Sequence, residues 1–294
     1  VATRASLAEG VTEFALVAIR SAGAAVLLAG YLIVRRGGFT RSTQDWRTGA
    51  VLGLTNLAAP FVLLTYALVN ASAGFVGLLV ALVPLATATL AHYLLPEERM
   101  HAAKAVGLLT ALGGVALLLL SGDSGLATGG RPLLSFGLAV GGVLFIAYAA
   151  IYAKRRAAGY DTLQLAAAQF VVGAVVMVVL ALLIEGTPDA YSAWAWTLLA
   201  YLTVAGTIAP FVAYYWLLRH VSATRASLIG YLVPLVALLS GIVLIDERLQ
   251  FGIGFGGVLI LAGVILTERA ERVGVASRHS FQAPGVAMRP EDTR

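Results

Sequence analysis

Apolar residues run along this chain in continuous stretches of about twenty, separated by short polar connectors. The stretches fall at roughly 12–34, 49–68, 72–95, 103–120, 133–153, 163–184, 194–218, 223–245 and 251–268. Each is long enough to cross a hydrocarbon core of about 30 Å. In such a core an unpaired backbone polar group is costly, so a span is a helix or part of a closed barrel. The runs are rich in Leu, Ala, Val and Gly and do not alternate apolar with polar, so a helix is predicted at each. The Gly/Ser-rich segment 123–132 reads as a linker. Residues 270–294 lose hydrophobicity and gain Arg, Ser, Pro and Glu, the composition of a flexible tail.

The pattern occurs twice. Ala59-Pro60-Phe61 returns as Ala209-Pro210-Phe211, 150 residues on. Ser72-Ala73 returns as Ser222-Ala223 and Val83-Pro84-Leu85 as Val233-Pro234-Leu235 at the same offset. After one deleted residue Glu98-Arg99 meets Glu247-Arg248, Gly107 meets Gly256, and Gly114-Val115 meets Gly263-Val264. An ordered series with one deletion marks a duplication. The first unit covers 1–122 and the second 133–269. Val1 aligns with about Ile151, so Val1–Ala8 matches only the last turns of a unit's first helix. A complete unit then has five helices, and the expectation is that most of the first helix is missing here.

Lys and Arg fall unevenly between the two sides of the alternating spans. One side collects Arg35, Arg36, Arg41, Arg47, Arg99, Lys104, Lys154, Arg155, Arg156, Arg219, Arg225 and the tail, and the other only Arg4, Arg131 and Arg248. The bias places the C-terminus in the cytoplasm of a cell whose inner (plasma) membrane holds the protein. An odd number of helices per unit sets the two copies in opposite orientations. Inverted repeats of this kind are frequent in secondary transporters.

Composition supports the membrane reading: 60% of residues are hydrophobic and 12% charged. A soluble domain carries about 25% charged residues, so too few are present to cover a wet surface. No cysteine is present, which removes disulfides, thiolate zinc sites and thiol catalysis. The basic pI of about 9.6 comes from loops and tail, where topology explains it, so nucleic acid is not an expected partner. There is no P-loop, HExxH or GxSxG, and no enzyme activity, cofactor or metal is expected.

The ordered residues Ala59-Pro60-Phe61, Tyr66-Ala67-Leu68, Ser72-Ala73, Pro84, Glu98-Arg99, Gly107 and Gly114, with their second copies, resemble the drug/metabolite transporter superfamily and within it the EamA-type ten-helix carriers. The resemblance covers about residues 3–269. It implies an all-α integral membrane fold of two inverted five-helix units. It also implies export or exchange of amino acids, related metabolites or drugs through a central cavity. Our expectation is a secondary transporter or facilitator working by alternating access. The rival class is a membrane scaffold or sensor built on the same duplication.

Candidate chemistry lies inside the spans. Pro60, Pro84, Pro210 and Pro234 each remove a helical donor and are expected to kink helices around a pathway. Arg20 sits about two turns inside its span, where a charge is costly unless it meets a cavity or partner. It could bind a solute carboxylate, or it could be structural, paired with helix carbonyls or a polar side chain. Asn56, Tyr148, Gln169, Tyr66 and Tyr214 are the other candidates for touching a small-molecule solute. Glu98-Arg99 and Glu247-Arg248 read as caps of the last helix of each unit. The Gly107/Gly114 and Gly256/Gly263 pairs read as packing seams, with a homodimer contact through the last helices left open.

Overall fold

A computed structural model describes residues 2–39, 42–70, 73–120, 132–156, 161–187, 190–232 and 251–282, and among these it contains helices and turns only. The first unit begins with α1 (Ala2–Ala8) and α2 (Glu13–Arg36). α3 (Thr43–Leu52) passes through a π-helical turn at Gly53–Ala58 into α4 (Ala59–Asn70). α5 (Ala73–Val80), α6 (Val83–Leu94) and α7 (Ala102–Leu120) complete it. The second unit holds α8 (Pro132–Arg156) and α9 (Thr162–Ile184). α10 (Ala193–Thr203) then passes through a π turn at Val204–Ile208 into α11 (Ala209–His220). α12 (Ala223–Ser227) and α13 (Phe251–Gln282) follow. Among the described residues, five helical rods are long and apolar enough to cross a membrane: 13–36, 43–68, 133–156, 162–184 and 193–220. α13 carries on to Gln282, into the segment that composition assigns to the tail.

One of the four prolines behaves differently from expectation. The span at 72–95 is broken at Ala81-Leu82 rather than bent. Pro84 sits in the first turn of α6, where a missing N–H leaves no helical bond unmade. It starts a helix and does not kink one. Pro234 lies outside the described residues.

Pro60 and Pro210 do sit inside long rods, and each follows a π turn. A proline in an α-helix lacks its N–H and clashes with the carbonyl four residues earlier. Widening the preceding turn moves that carbonyl away. Ala59 N–H accordingly reaches Leu54 O, and Ala209 N–H reaches Val204 O, both five residues back. The same device thus occurs at the same place in both units.

α2 and α9, counterparts in the repeat, pack against each other at the centre. Small residues line their faces, among them Ala24, Ala25, Ala166, Ala167 and Ala174, so the backbones approach closely. They run antiparallel. Glu185 at the end of α9 accepts from the N–H groups of Phe14 (3.0 Å) and Ala15 (2.9 Å) at the start of α2. Arg36 at the end of α2 pairs with Asp161 at the start of α9. Counterpart helices that run antiparallel make the repeat an inverted one.

α7 and α13, the last helices of the two units, form the other close pair. A Cβ at Gly107 would lie 2.5 Å from Thr267 Oγ1, and one at Gly114 would lie 2.6 Å from Ile260 N. Gly263 is blocked by the backbone of Ala111. These glycines are filled from within the chain.

Candidate functional site

The two π turns bring most of the polar chemistry of the spans together. In the first unit Asn56 belongs to the turn at 53–58. Its Nδ2 donates to Tyr215 Oη (3.2 Å) and, more weakly, to Gln169 Oε1 (3.4 Å). Tyr215 Oη in turn donates to Gln169 Oε1. Three elements thereby meet: the π turn, α9 and α11. Gln169 and Tyr215 are buried and Asn56 is half-buried. Gln169 Nε2 has no hydrogen-bond partner among the described residues. A buried donor in that state costs about 1–3 kcal/mol, a penalty held at the middle of the α2–α9 core.

The second unit holds its π turn with a charge. Arg20 Nε donates to Thr207 Oγ1 (2.9 Å), and Nη2 donates to Gly206 O (2.9 Å). The second contact has a local cause. Gly206 lies four residues before Pro210, so in an α-helix its carbonyl would be the one that Pro210 cannot serve. The guanidinium supplies the donor that the proline lacks. The pairing with a helix carbonyl and a polar side chain, one of the readings of Arg20 left open by sequence, is present. Thr207 Oγ1 also donates back to Leu202 O (2.9 Å).

These two latches occupy corresponding places. Asn56 and Gly206 align at the 150-residue offset. Arg20 and Gln169 stand on corresponding turns of α2 and α9. Beside them, a Cβ at Gly23 would press on Thr203 and one at Gly173 on Leu57, so both contacts are close.

The remaining candidates sit around this centre. Tyr214 is half-buried beside Tyr215, with ring centroids 6.0 Å apart. Tyr148 is 42% exposed and stacks on Tyr152 at 6.1 Å. Tyr66 is 43% exposed and meets Phe14 edge-on at 6.4 Å. Two aromatic pairs support the proline turns: Phe14 against Phe61 (5.7 Å) and Phe170 against Phe211 (5.1 Å). Sequence reasoning passed over Gly206 and Thr207. The repeat alignment held a signal for Gly206, because it is the partner of Asn56.

Charged groups gather at the helix ends. Asp161 caps α9 through the N–H groups of Leu163 (2.9 Å) and Gln164 (3.2 Å). Partial burial works against its ionisation, but the bond from Arg36 and those backbone donors outweigh it, so its pKa lies below the ordinary carboxylate value. Glu98 corrects an expectation. It does not cap its own helix, since α7 begins only at Ala102. Its carboxylate reaches into the other unit and accepts from Ala223 N (2.7 Å), Thr224 N (3.2 Å) and Thr224 Oγ1 (3.3 Å). The first turn of α12 exposes N–H groups that the helix itself leaves unpaired, and a carboxylate satisfies them.

A family model described as the EamA-like transporter family matches residues 1–120 and 133–269. The chain belongs to that family. It is therefore a multi-pass membrane transporter, and the EamA-like units correspond to the two halves of the inverted repeat. Among similar proteins is the uncharacterized transporter YoaV of Bacillus subtilis (strain 168), 28% identical over 69% of each chain. The uncharacterized protein PA1977 of Pseudomonas aeruginosa is 31% identical over 89% of this chain and 85% of its own. A probable terminal-alkyne amino-acid exporter of Streptantibioticus cattleyicolor is 29% identical over 89% of this chain and 84% of its own. A solved crystal structure shares the fold with a TM-score of 0.77 over 92% of both chains at 18% identity.

Proposed function

We propose that this EamA-like transporter exports a small metabolite, an amino acid, amine or drug-like solute, by alternating access of its two inverted units. The observation that carries the reading is the pair of proline-broken π turns, each tied to a polar side chain on α2 or α9. A broken helix inside a membrane is tolerated where protein or a water-lined cavity meets its freed backbone groups. Two such turns, on opposite units and in contact with the central α2–α9 pair, are suited to rock against each other.

The polar side chains around the turns suit a solute with both acceptors and donors. The Arg20 guanidinium has five N–H donors, and its bonds to Thr207 and Gly206 leave some for a carboxylate. Asn56, half-buried beside Tyr215, offers an amide. Tyr214, Tyr148 and Tyr66 add amphipathic rings for the body of the solute. The relative named as a probable amino-acid exporter supports an amino-acid-like cargo. The charge bias supports a cytoplasmic C-terminus in the plasma membrane.

Proteoliposomes loaded with a mixture of amino acids and amines test the reading by mass spectrometry of the outer solution. At least one solute should leave faster than from protein-free liposomes, and Arg20→Gln should slow it. No excess flux of any solute in either direction would falsify the carrier assignment.

A further inference from the structure

Glu98 joins the two units at one end of the bundle, and the surrounding contacts show what it holds. Its acceptors serve Ala223 and Thr224, which begin α12. The turn just before them, Val221-Ser222, is the exit from α11. That exit is held from its other side by Lys154 of α8, whose Nζ donates to Leu218 O (2.7 Å) and Val221 O (2.6 Å). Arg155 of α8 donates to Leu94 O at the end of α6. Three cross-element contacts thus close the end of the bundle that carries Lys154, Arg155 and Arg219.

The Lys154 contacts lie within the second unit. The Glu98 contact spans the unit boundary, as does that of Arg155 with Leu94, but it is the one made by a buried side chain. Glu98 is 8% exposed, so water competes weakly for its hydrogen bonds. Rigid motion of one unit against the other must break these bonds or carry α12 along. α12 follows directly on α11, which bears Pro210, Tyr214 and Tyr215. Any movement at the Val221-Ser222 turn is therefore passed to the π turn that Arg20 latches.

We propose that Glu98 is a positioning residue for transport: it latches the Lys154/Arg155 end of the solute path shut, and its release from Ala223 and Thr224 opens that end. The proposal rests on the alternating-access reading above. Its test needs no solute, so its failure and the failure of that reading can be told apart.

The absence of native cysteine permits single-cysteine accessibility. Leu217→Cys, in the last turn of α11, reports on the latched end. Thr65→Cys reports on the opposite end, where Thr3, Leu7, Phe61, Thr65 and Leu68 line a cleft of about 250 Å³. Each reporter is labelled with a membrane-impermeant maleimide in vesicles of known orientation, with Glu98 intact or replaced. Glu98→Ala should raise labelling at Leu217→Cys by at least about tenfold, the factor expected for loss of even one of its three charge-assisted hydrogen bonds. Labelling at Thr65→Cys should fall. Glu98→Gln keeps one acceptor oxygen and should lie between, and Glu98→Asp should restore most of the original ratio. A purely structural role would instead raise both reporters together or leave both unchanged, and either pattern overturns the proposal. Where Glu98→Ala fails to yield monodisperse protein, the Glu98→Gln and Glu98→Asp pair carries the same test.

Discussion

The two π turns are built alike and held differently. Each lies just before an Ala-Pro-Phe triplet, and each meets a polar side chain from the central α2–α9 pair. At 53–58 the partners are neutral: an amide, a second amide and a phenol, with one buried donor left unpaired. At 204–208 the partner is a guanidinium bonded to a carbonyl and a hydroxyl. Duplication explains the shared backbone device. The unequal latches show that the side chains around the shared device have since diverged. A charge-assisted bond is about twice as strong as a neutral one. The 204–208 turn is thus the firmer of the two, and the 53–58 turn, beside an unsatisfied amide, is the one nearer to change.

The comparison sharpens against a symmetric control, the glycine contact between α7 and α13. Gly114→Ala and Gly263→Ala, counterparts in the repeat, should each cost about 3 kcal/mol through overpacking, and by similar amounts, read as thermal unfolding of the purified protein. A large difference between them would show that the units are unequal everywhere and not only at the latches.

Arg20→Ala should come next, at about 2 kcal/mol, because it leaves Gly206 O and Thr207 Oγ1 without the charged donor. Pro210→Ala should recover part of that loss by returning an N–H to the helix, and Pro60→Ala should not. The double-mutant cycle for Arg20 and Pro210 should show coupling of about 1 kcal/mol. Additive effects would break the link drawn here between the proline and the guanidinium.

Gln169→Leu should cost less, about 1 kcal/mol, because the loss of bonds from Asn56 and Tyr215 is partly offset by removal of an unpaired buried donor. A loss as large as that from Arg20→Ala would erase the difference between the turns. The smallest effect concerns the ends of the α2–α9 pair. Asp161→Ala should cost about 1 kcal/mol as a lost N-cap. Since the folded pKa of Asp161 is depressed, its contribution is in place above the ordinary carboxylate value of 3.8 and falls away as pH drops through the lower folded value. Unfolding measured from pH 7 to pH 3 should show that loss in the parent and not in Asp161→Ala.

Much of this architecture was legible from the chain. Span length, the duplication, its inversion and the prolines at 60 and 210 are local or periodic features. The cost of crossing a membrane writes them into every stretch of twenty residues. Arg20, Asn56 and Gln169 stood out for the same reason, as polar groups where lipid tolerates few. Their partners did not. Asn56 meets Gln169 and Tyr215 across 113 and 159 residues, Arg20 meets Gly206 across 186, and Glu98 meets Ala223 across 125. Such pairings depend on how the units pack, and a backbone carbonyl such as Gly206 O carries no side-chain signal at all. Pro84 shows the same limit on a smaller scale, since the break at Ala81-Leu82 turned an expected kink into a helix start. The residue order thus settles what each helix must hide from lipid, while the docking of one unit on the other settles which hidden groups satisfy one another.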